Sequence, residues 1–154
     1  MSWSSPPSLV FKVNFDGAAR GNLGDARYGG VCRNYNGEII QVFFGSLGID
    51  TNNSAELEGM IQGIQIIILN GWLSAIVEGD SRILIQMAQQ MANGKSTEKA
   101  TSSWCLAGRL DDLRAMVVTY PTLSFHHIRR EANWVVDLMA NISVTDVRAN
   151  RRAR

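Results

Sequence analysis

The chain has little of what marks several common classes of protein. It holds two cysteines, Cys32 and Cys105, too few and too far apart for a disulfide framework or a zinc cluster. Buried thiols in a reducing compartment are the expected state. The formal net charge is only +1, so there is no global pull toward nucleic acid, and any such site must come from local charge placement. No long apolar run and no secretory leader pattern is present, which gives the expectation of an intracellular protein, nuclear or cytoplasmic, without a membrane span. The sequons Asn52-Asn53-Ser54 and Asn141-Ile142-Ser143 carry no glycosylation meaning in that setting. Gly17, Gly21 and Gly24 match neither the dinucleotide fingerprint nor a P-loop, which would need a Gly-Lys-Ser/Thr ending. Internal repeats and low-complexity stretches are absent.

What is present is one globular domain's worth of material, 154 residues at 45% hydrophobic content, enough for a packed core. The expected division is a flexible tail over 1–9, a domain over 10–144, and a basic tail over 145–154 that carries Arg148, Arg151, Arg152 and Arg154.

Periodicity gives the order of elements. In Val10 to Phe15, apolar Phe11, Val13 and Phe15 alternate with Lys12 and Asn14, the pattern of a half-buried strand, and Asp16-Gly17 reads as its end. Strands over Gly30–Asn34 and Glu38–Gly45 flank Asn36-Gly37, a strong hairpin signal. Leu57, Met60, Ile61, Ile64 and Ile68 recur at helical spacing from Ala55 to Asn70, with Asn53 as N-cap and Gly71 as stop. A strand follows over Ala75–Gly79, then a helix over Ser81–Ala92 with Ile83, Ile85, Met87 and Met91 as its apolar side chains. A helix over Ser102–Val118, a strand over Leu123–Ile128 and a closing helix over Glu131–Ser143 complete the order βββαβααβα. A meander followed by alternating strands and helices predicts a mixed α/β sheet of five strands, three antiparallel and two parallel, flanked by helices.

Four carboxylates stand at junctions in this scheme: Asp16, Glu56, Asp80 and Asp137. In open α/β sheets ligands gather at the carboxyl ends of strands, and like charges gathered there cost stability unless a cation neutralises them. Mg²⁺ prefers such oxygen ligands, and two ions about 4 Å apart stabilise both the attacking and the leaving oxygen of a phosphodiester. Each acid also has a plain structural role open to it. Asp16-Gly17 is a common turn, Asn53 with Glu56 a serviceable capping box, Asp80-Ser81 a helix cap, and Asp137 an exposed helical acid. His127, beside His126, fits a polar surface position as well as a proton carrier. Arg129 and Arg130 fit a solvated face or a phosphate contact, and Trp104 fits the core or a groove wall.

Taken in order, Asp16-Gly17-Ala18-Ala19-Arg20-Gly21-Asn22, Thr51-Asn52-Asn53-Ser54-Ala55-Glu56, Gly79-Asp80-Ser81 and His127 through Arg130-Glu131-Ala132-Asn133 to Asp137 resemble the successive signatures of type 1 ribonuclease H. Within that family the sequence is most similar to the plant reverse-transcriptase-like, retroelement-derived domains. The resemblance implies the ribonuclease H-like fold and cleavage of the RNA strand of RNA/DNA hybrids, leaving 3′-hydroxyl and 5′-phosphate ends. It implies two Mg²⁺ ions, with Mn²⁺ as a substitute, held by Asp16, Glu56, Asp80 and Asp137, and His127 assisting proton transfer or product release. Substrate contacts would come from Gly17, Ala19, Gly21, Asn22, Thr51, Asn52, Asn53 and Asn133. The expected partner is an RNA/DNA hybrid, bound by a monomer or by one domain of a larger retroelement-derived polyprotein. An inactive ribonuclease H-like module that binds nucleic acid or a protein is the alternative. The basic, Trp-containing protrusion of bacterial members has a thin counterpart here, with only Lys95 and Lys99 as cations between Ala92 and Trp104. That thinness predicts weaker, salt-sensitive binding.

Overall fold

The computed structural model describes residues 10–95 and 107–130. Their elements follow the expected order: β1 (Val10–Ala19), β2 (Gly24–Arg33), β3 (Ile39–Asp50), α1 (Asn52–Asn70), β4 (Ser74–Gly79), α2 (Arg82–Ala92), α3 (Ala107–Thr119) and β5 (Leu123–His127). The closing helix expected over Glu131–Ser143, and with it Asp137 and Asn133, lies outside the described residues, as do Trp104 and Cys105.

The five strands form one mixed sheet in the order β3-β2-β1-β4-β5. β1 runs antiparallel to β2 and parallel to β4, β2 is antiparallel to β3, and β4 is parallel to β5. Alternation puts Val13 and Phe15 on the face that carries α1, while Lys12, Asn14 and Asp16 take the other. Val13 pairs across to Cys32 on one side and Val77 on the other, and all three are fully buried beside Leu57, Met60 and Ile64 of α1. Burial pushes the Cys32 thiol up to about 12, so it is an inert core residue. Phe11 stacks on Trp72 with ring centroids 4.3 Å apart, sealing the far end of this layer.

Several local expectations change. β1 does not end at Asp16-Gly17 but continues to Ala19, because its ladder with β2 runs on through Asp16↔Gly29 to Ala19↔Ala26. Cross-strand hydrogen bonds outweigh the turn preference of Asp-Gly. The parallel pairing with β4 stops at Asn14↔Glu78, however, so Asp16 sits where β1 and β4 part. The N-cap of α1 is Thr51, not Asn53: its side-chain oxygen accepts the Ser54 N–H at 3.1 Å. In α2 the buried face is Leu84, Ile85, Met87, Ala88 and Met91, whereas Ile83 is 59% exposed. Ile83 and Ile85 lie at opposite edges of the stripe centred on Leu84, Ala88 and Met91, and of the two only Ile85 is buried. β2 and β3 are also longer than expected, with bulge-type register shifts at Ala26/Arg27 and Cys32/Arg33. The hairpin at Asn36-Gly37 forms as expected, Gly37 taking φ 82°.

Glycine lets α1 lie unusually close to β1. A Cβ on Gly59 would stand 2.8 Å from the Asp16 carbonyl oxygen, and one on Gly63 would stand 2.8 Å from Val13 Cγ1. At the start of α1 the same closeness is reached from the strand side, where a Cβ on Gly17 would collide with the backbone of Ala55 and Glu56. This seam brings the first turn of α1 against the acidic end of β1.

Candidate metal centre and groove

Asp16, Glu56 and Asp80 meet at one place, with one oxygen from each lying within 4.8 Å of the others. Each arrives by a different local route. Asp16 projects from β1 just past the last β1–β4 pair, Glu56 from the start of the second turn of α1, and Asp80 from the residue after β4. Asp80 is followed by Ser81, whose hydroxyl caps α2 by accepting the Leu84 N–H. Ser81 therefore does the capping, and Asp80 is left to face the cluster.

The three acids line a cleft of about 390 Å³ with Gly17, Ala18, Ala19, Asn52 and Arg130. Asp16 is buried and takes the Gly17 N–H on Oδ1 at 2.8 Å. Burial raises the Glu56 carboxyl to about 7, and the Asp80 charge adds to that rise; a hydrogen bond with Ser81 and the Arg130 charge oppose it. Burial chiefly, with the Asp80 charge added, thus disfavours the ionised form of Glu56. Three converging carboxylates, with no nitrogen or sulfur donor in the cluster among the described residues, suit a hard divalent cation such as Mg²⁺, and a cation there would relieve the repulsion felt by Glu56.

His127 stands beside the cleft, not in its wall. Its Nε2 lies 3.2 Å from the Asp80 carbonyl oxygen, an acceptor only, so this contact requires the Nε2–H tautomer or the imidazolium. The neighbouring Ile128 N–H donates to the Gly79 carbonyl at 2.9 Å, which continues the β4–β5 register into the segment bearing Arg130.

The groove residues expected from the sequence divide. Gly17, Ala19 and Asn52 line the cleft. Gly21 takes φ 69° in the exposed turn after β1. Asn22 and Asn53 are exposed at the rim, and Asn22 bonds the start of α1. Thr51 is committed to capping α1. Two residues gain weight beyond the sequence reading. Arg130, though exposed, lines the cleft, and Ser81 bonds Glu56 as well as capping α2. The Arg-Glu-Ala-Asn run was the available signal for Arg130.

The sequence signature of the reverse transcriptase-like family matches residues 14–143. Ribonuclease HI of Halobacterium salinarum is 27% identical over 132 residues, 86% of this chain and 63% of that protein. An Arabidopsis thaliana protein provisionally named as a ribonuclease H protein is 28% identical over 141 residues, 92% of this chain and 22% of its own length. The chain thus spans less than two thirds of either relative. The crystal structure of ribonuclease H1 from the same archaeon has a TM-score of 0.71 at 26% identity, covering 88% of this chain and 98% of that one. That of LC11 ribonuclease H1 in complex with an RNA/DNA hybrid has a TM-score of 0.70 at 26% identity, covering 85% and 94%. No described helix is long and apolar enough to cross a membrane. A signature that covers most of the sequence, on a sheet and helix order shared with these structures, makes the chain a member of the reverse transcriptase-like family with the ribonuclease H fold.

Proposed function

We propose that this chain is an endonuclease that hydrolyses the RNA strand of RNA/DNA hybrids, leaving 3′-hydroxyl and 5′-phosphate ends. The observation that carries the proposal is the convergence of Asp16, Glu56 and Asp80 oxygens within 4.8 Å in a cleft of a member of this family. Those three, with Asp137 from outside the described residues, would hold two Mg²⁺ ions, with Mn²⁺ as a substitute. The ions supply charge neutralisation at the attacking and leaving oxygens. The chain's own residues do the rest. Glu56 would hold the cation as a carboxylate, Arg130 faces the same cleft as a permanent positive charge, and His127, beside Asp80, would assist proton transfer or product release.

An RNA strand differs from DNA by its 2′-hydroxyl and by minor-groove shape. Gly17, Ala19 and Gly21 offer backbone groups along one side of the cleft. Asn22, Asn52, Asn53 and Asn133 are the side chains proposed to reach the minor groove, where readout is degenerate, so little sequence preference follows. Thr51, at the helix start, is proposed to meet a DNA phosphate. The catalytic domain is placed at 10–144, between tails of 1–9 and 145–154.

A specific observation supports a second reading, a weak or inactive module that binds nucleic acid or a protein partner. Lys12 pairs with Glu78 at 3.2 Å, Arg27 with Asp25 at 2.8 Å and Arg109 with Glu58 at 3.5 Å, which leaves fewer cations for phosphate. Incubating the chain with end-labelled RNA/DNA hybrid, duplex RNA and duplex DNA, each with Mg²⁺, Mn²⁺ or EDTA, separates the two. Metal-dependent cutting of the hybrid's RNA strand supports the nuclease; an intact hybrid under every condition favours the module.

A further inference from the structure

The two arms of the acidic cleft are joined by side-chain bonds that span 30 residues or more of sequence. Asn52 Oδ1 accepts the Ala19 N–H at 2.6 Å, and Asn22 Oδ1 accepts the Asn52 N–H at 3.0 Å. Ala19 is the last residue of β1, and Asn52 is the first residue of α1. An α-helix leaves the N–H of its first residue without an internal partner, and here Asn22 supplies one from across the cleft.

The bonds are reciprocal, each segment giving an N–H to the other and taking one back. They also close a ring around the cleft. Asp16 lies three residues before Ala19 on one arm. Glu56 lies four residues after Asn52 on the other, one helical turn along the same face. The turn of residues 20–23, between β1 and β2, hangs from the junction, and its backbone is further held by the Arg20 N–H donating to the Asp25 carbonyl at 3.0 Å. The Gly17 seam fixes the closed end of the ring, and the two asparagines fix its mouth.

Of the two amide atoms of an asparagine only the oxygen can accept a backbone N–H, so both asparagine orientations are set by their partners. Each Oδ1 is spent inside the protein. Neither Nδ2 has a hydrogen-bond partner among the described residues, so what remains available is a donor.

We propose that Asn22 and Asn52 are positioning residues, a two-bond latch that holds the 17–22 segment at a fixed place relative to Asp16 and Glu56 and leaves each asparagine a donor-only Nδ2 group toward the substrate. The kinetic part rests on the nuclease reading above; the latch itself does not. It differs from a simple contact role, because removing the oxygen and removing the donor have separate consequences. Asn52→Asp keeps an oxygen for the Ala19 N–H and loses the donor, whereas Asn52→Ala loses both.

The test is amide hydrogen exchange by NMR in the free protein, beside steady-state cleavage of an RNA/DNA hybrid with Mg²⁺, on the parent, Asn52→Ala, Asn52→Asp and Asn22→Ala. The latch predicts slow exchange at Ala19 and Asn52 in the parent. It predicts exchange faster by about tenfold at Ala19 in Asn52→Ala and at Asn52 in Asn22→Ala, the factor expected for one ordinary hydrogen bond. Asn52→Ala lowers kcat by roughly ten- to a hundredfold, the cost of a small misplacement of the reacting groups. Asn52→Asp keeps the slow exchange at Ala19 and a kcat above that of Asn52→Ala, while KM rises. Equal kcat in the Ala and Asp variants, with only KM moving, would overturn positioning in favour of direct contact. A fall in melting temperature with kcat and KM unchanged would reduce the pair to a structural bond. An active parent with unprotected amides sinks the latch alone. An inactive parent sinks the nuclease reading and leaves the latch to be judged by exchange.

Discussion

Glu56 makes the cation's entry depend on pH in a calculable way. Burial first, and the Asp80 charge second, hold its carboxyl protonated up to about 7 in the metal-free protein, against the opposing effects of Ser81 and Arg130. A divalent ion and a proton therefore compete for the same oxygen. For one competing proton the apparent dissociation constant scales as one plus the ratio of protonated to ionised Glu56, so Mg²⁺ binding should tighten by about tenfold between pH 6 and pH 8. In that range binding should expel roughly 0.9 proton at pH 6 and roughly 0.1 at pH 8. The effect on stability has the opposite sign. The folded, metal-free carboxyl holds its proton to higher pH than an unfolded glutamate, so metal-free stability falls as pH climbs from the ordinary glutamate range through 7. Bound metal removes that loss. Calorimetric Mg²⁺ titrations at several pH values, each in two buffers of different ionisation enthalpy, give affinity and proton count together. Affinity flat from pH 6 to 8 with no proton release would refute this account of Glu56.

Further outcomes follow from the packing. Ala favours a helix interior over Gly by about 1 kcal/mol, and Gly108→Ala in the first turn of α3, where a Cβ would meet nothing within 4 Å, should gain a fraction of that. Gly59→Ala should instead lose about 1–3 kcal/mol through overpacking, since its Cβ would stand 2.8 Å from the Asp16 carbonyl oxygen, and should weaken Mg²⁺ binding by prising α1 from β1. Thermal melts of both variants check the contrast, and equal stabilisation would contradict the close seam. Thr51→Ala removes the cap on Ser54 N–H and should cost about 1 kcal/mol, read by chemical denaturation, whereas Asn53→Ala, at the position the sequence favoured, should cost less.

The sheet's phase was legible because Phe11, Val13 and Phe15 alternate with polar residues, and a period of two fixes which side chains share a face. The end of β1 was not, because Asp-Gly turns a chain only where no neighbouring strand claims its backbone, and β2 claims it here as far as Ala19. Thr51, Asn52, Asn53 and Ser54 are all competent caps. Which one starts α1 is decided by docking against Gly17, a contact 35 or more residues distant in sequence. Ile83 departs from expectation because apolar character alone does not say which edge of the α2 stripe docks on the sheet. For the site, Asp16, Glu56 and Asp80 are each ambiguous alone, and only their shared position sets them apart from caps and turn residues. The Asn22 and Asn52 bonds join side chains to distant backbone and leave no local pattern.

The most direct test of the central claim is cleavage of an end-labelled RNA/DNA hybrid by the parent and by Asp16→Asn, a substitution that removes a carboxylate from the cluster while keeping the side chain's shape. The account predicts Mg²⁺-dependent cutting of the RNA strand by the parent, abolished by EDTA and by the substitution, with the fold and hybrid binding retained. Equal cutting by the variant would show that the acidic cluster is not the catalytic centre.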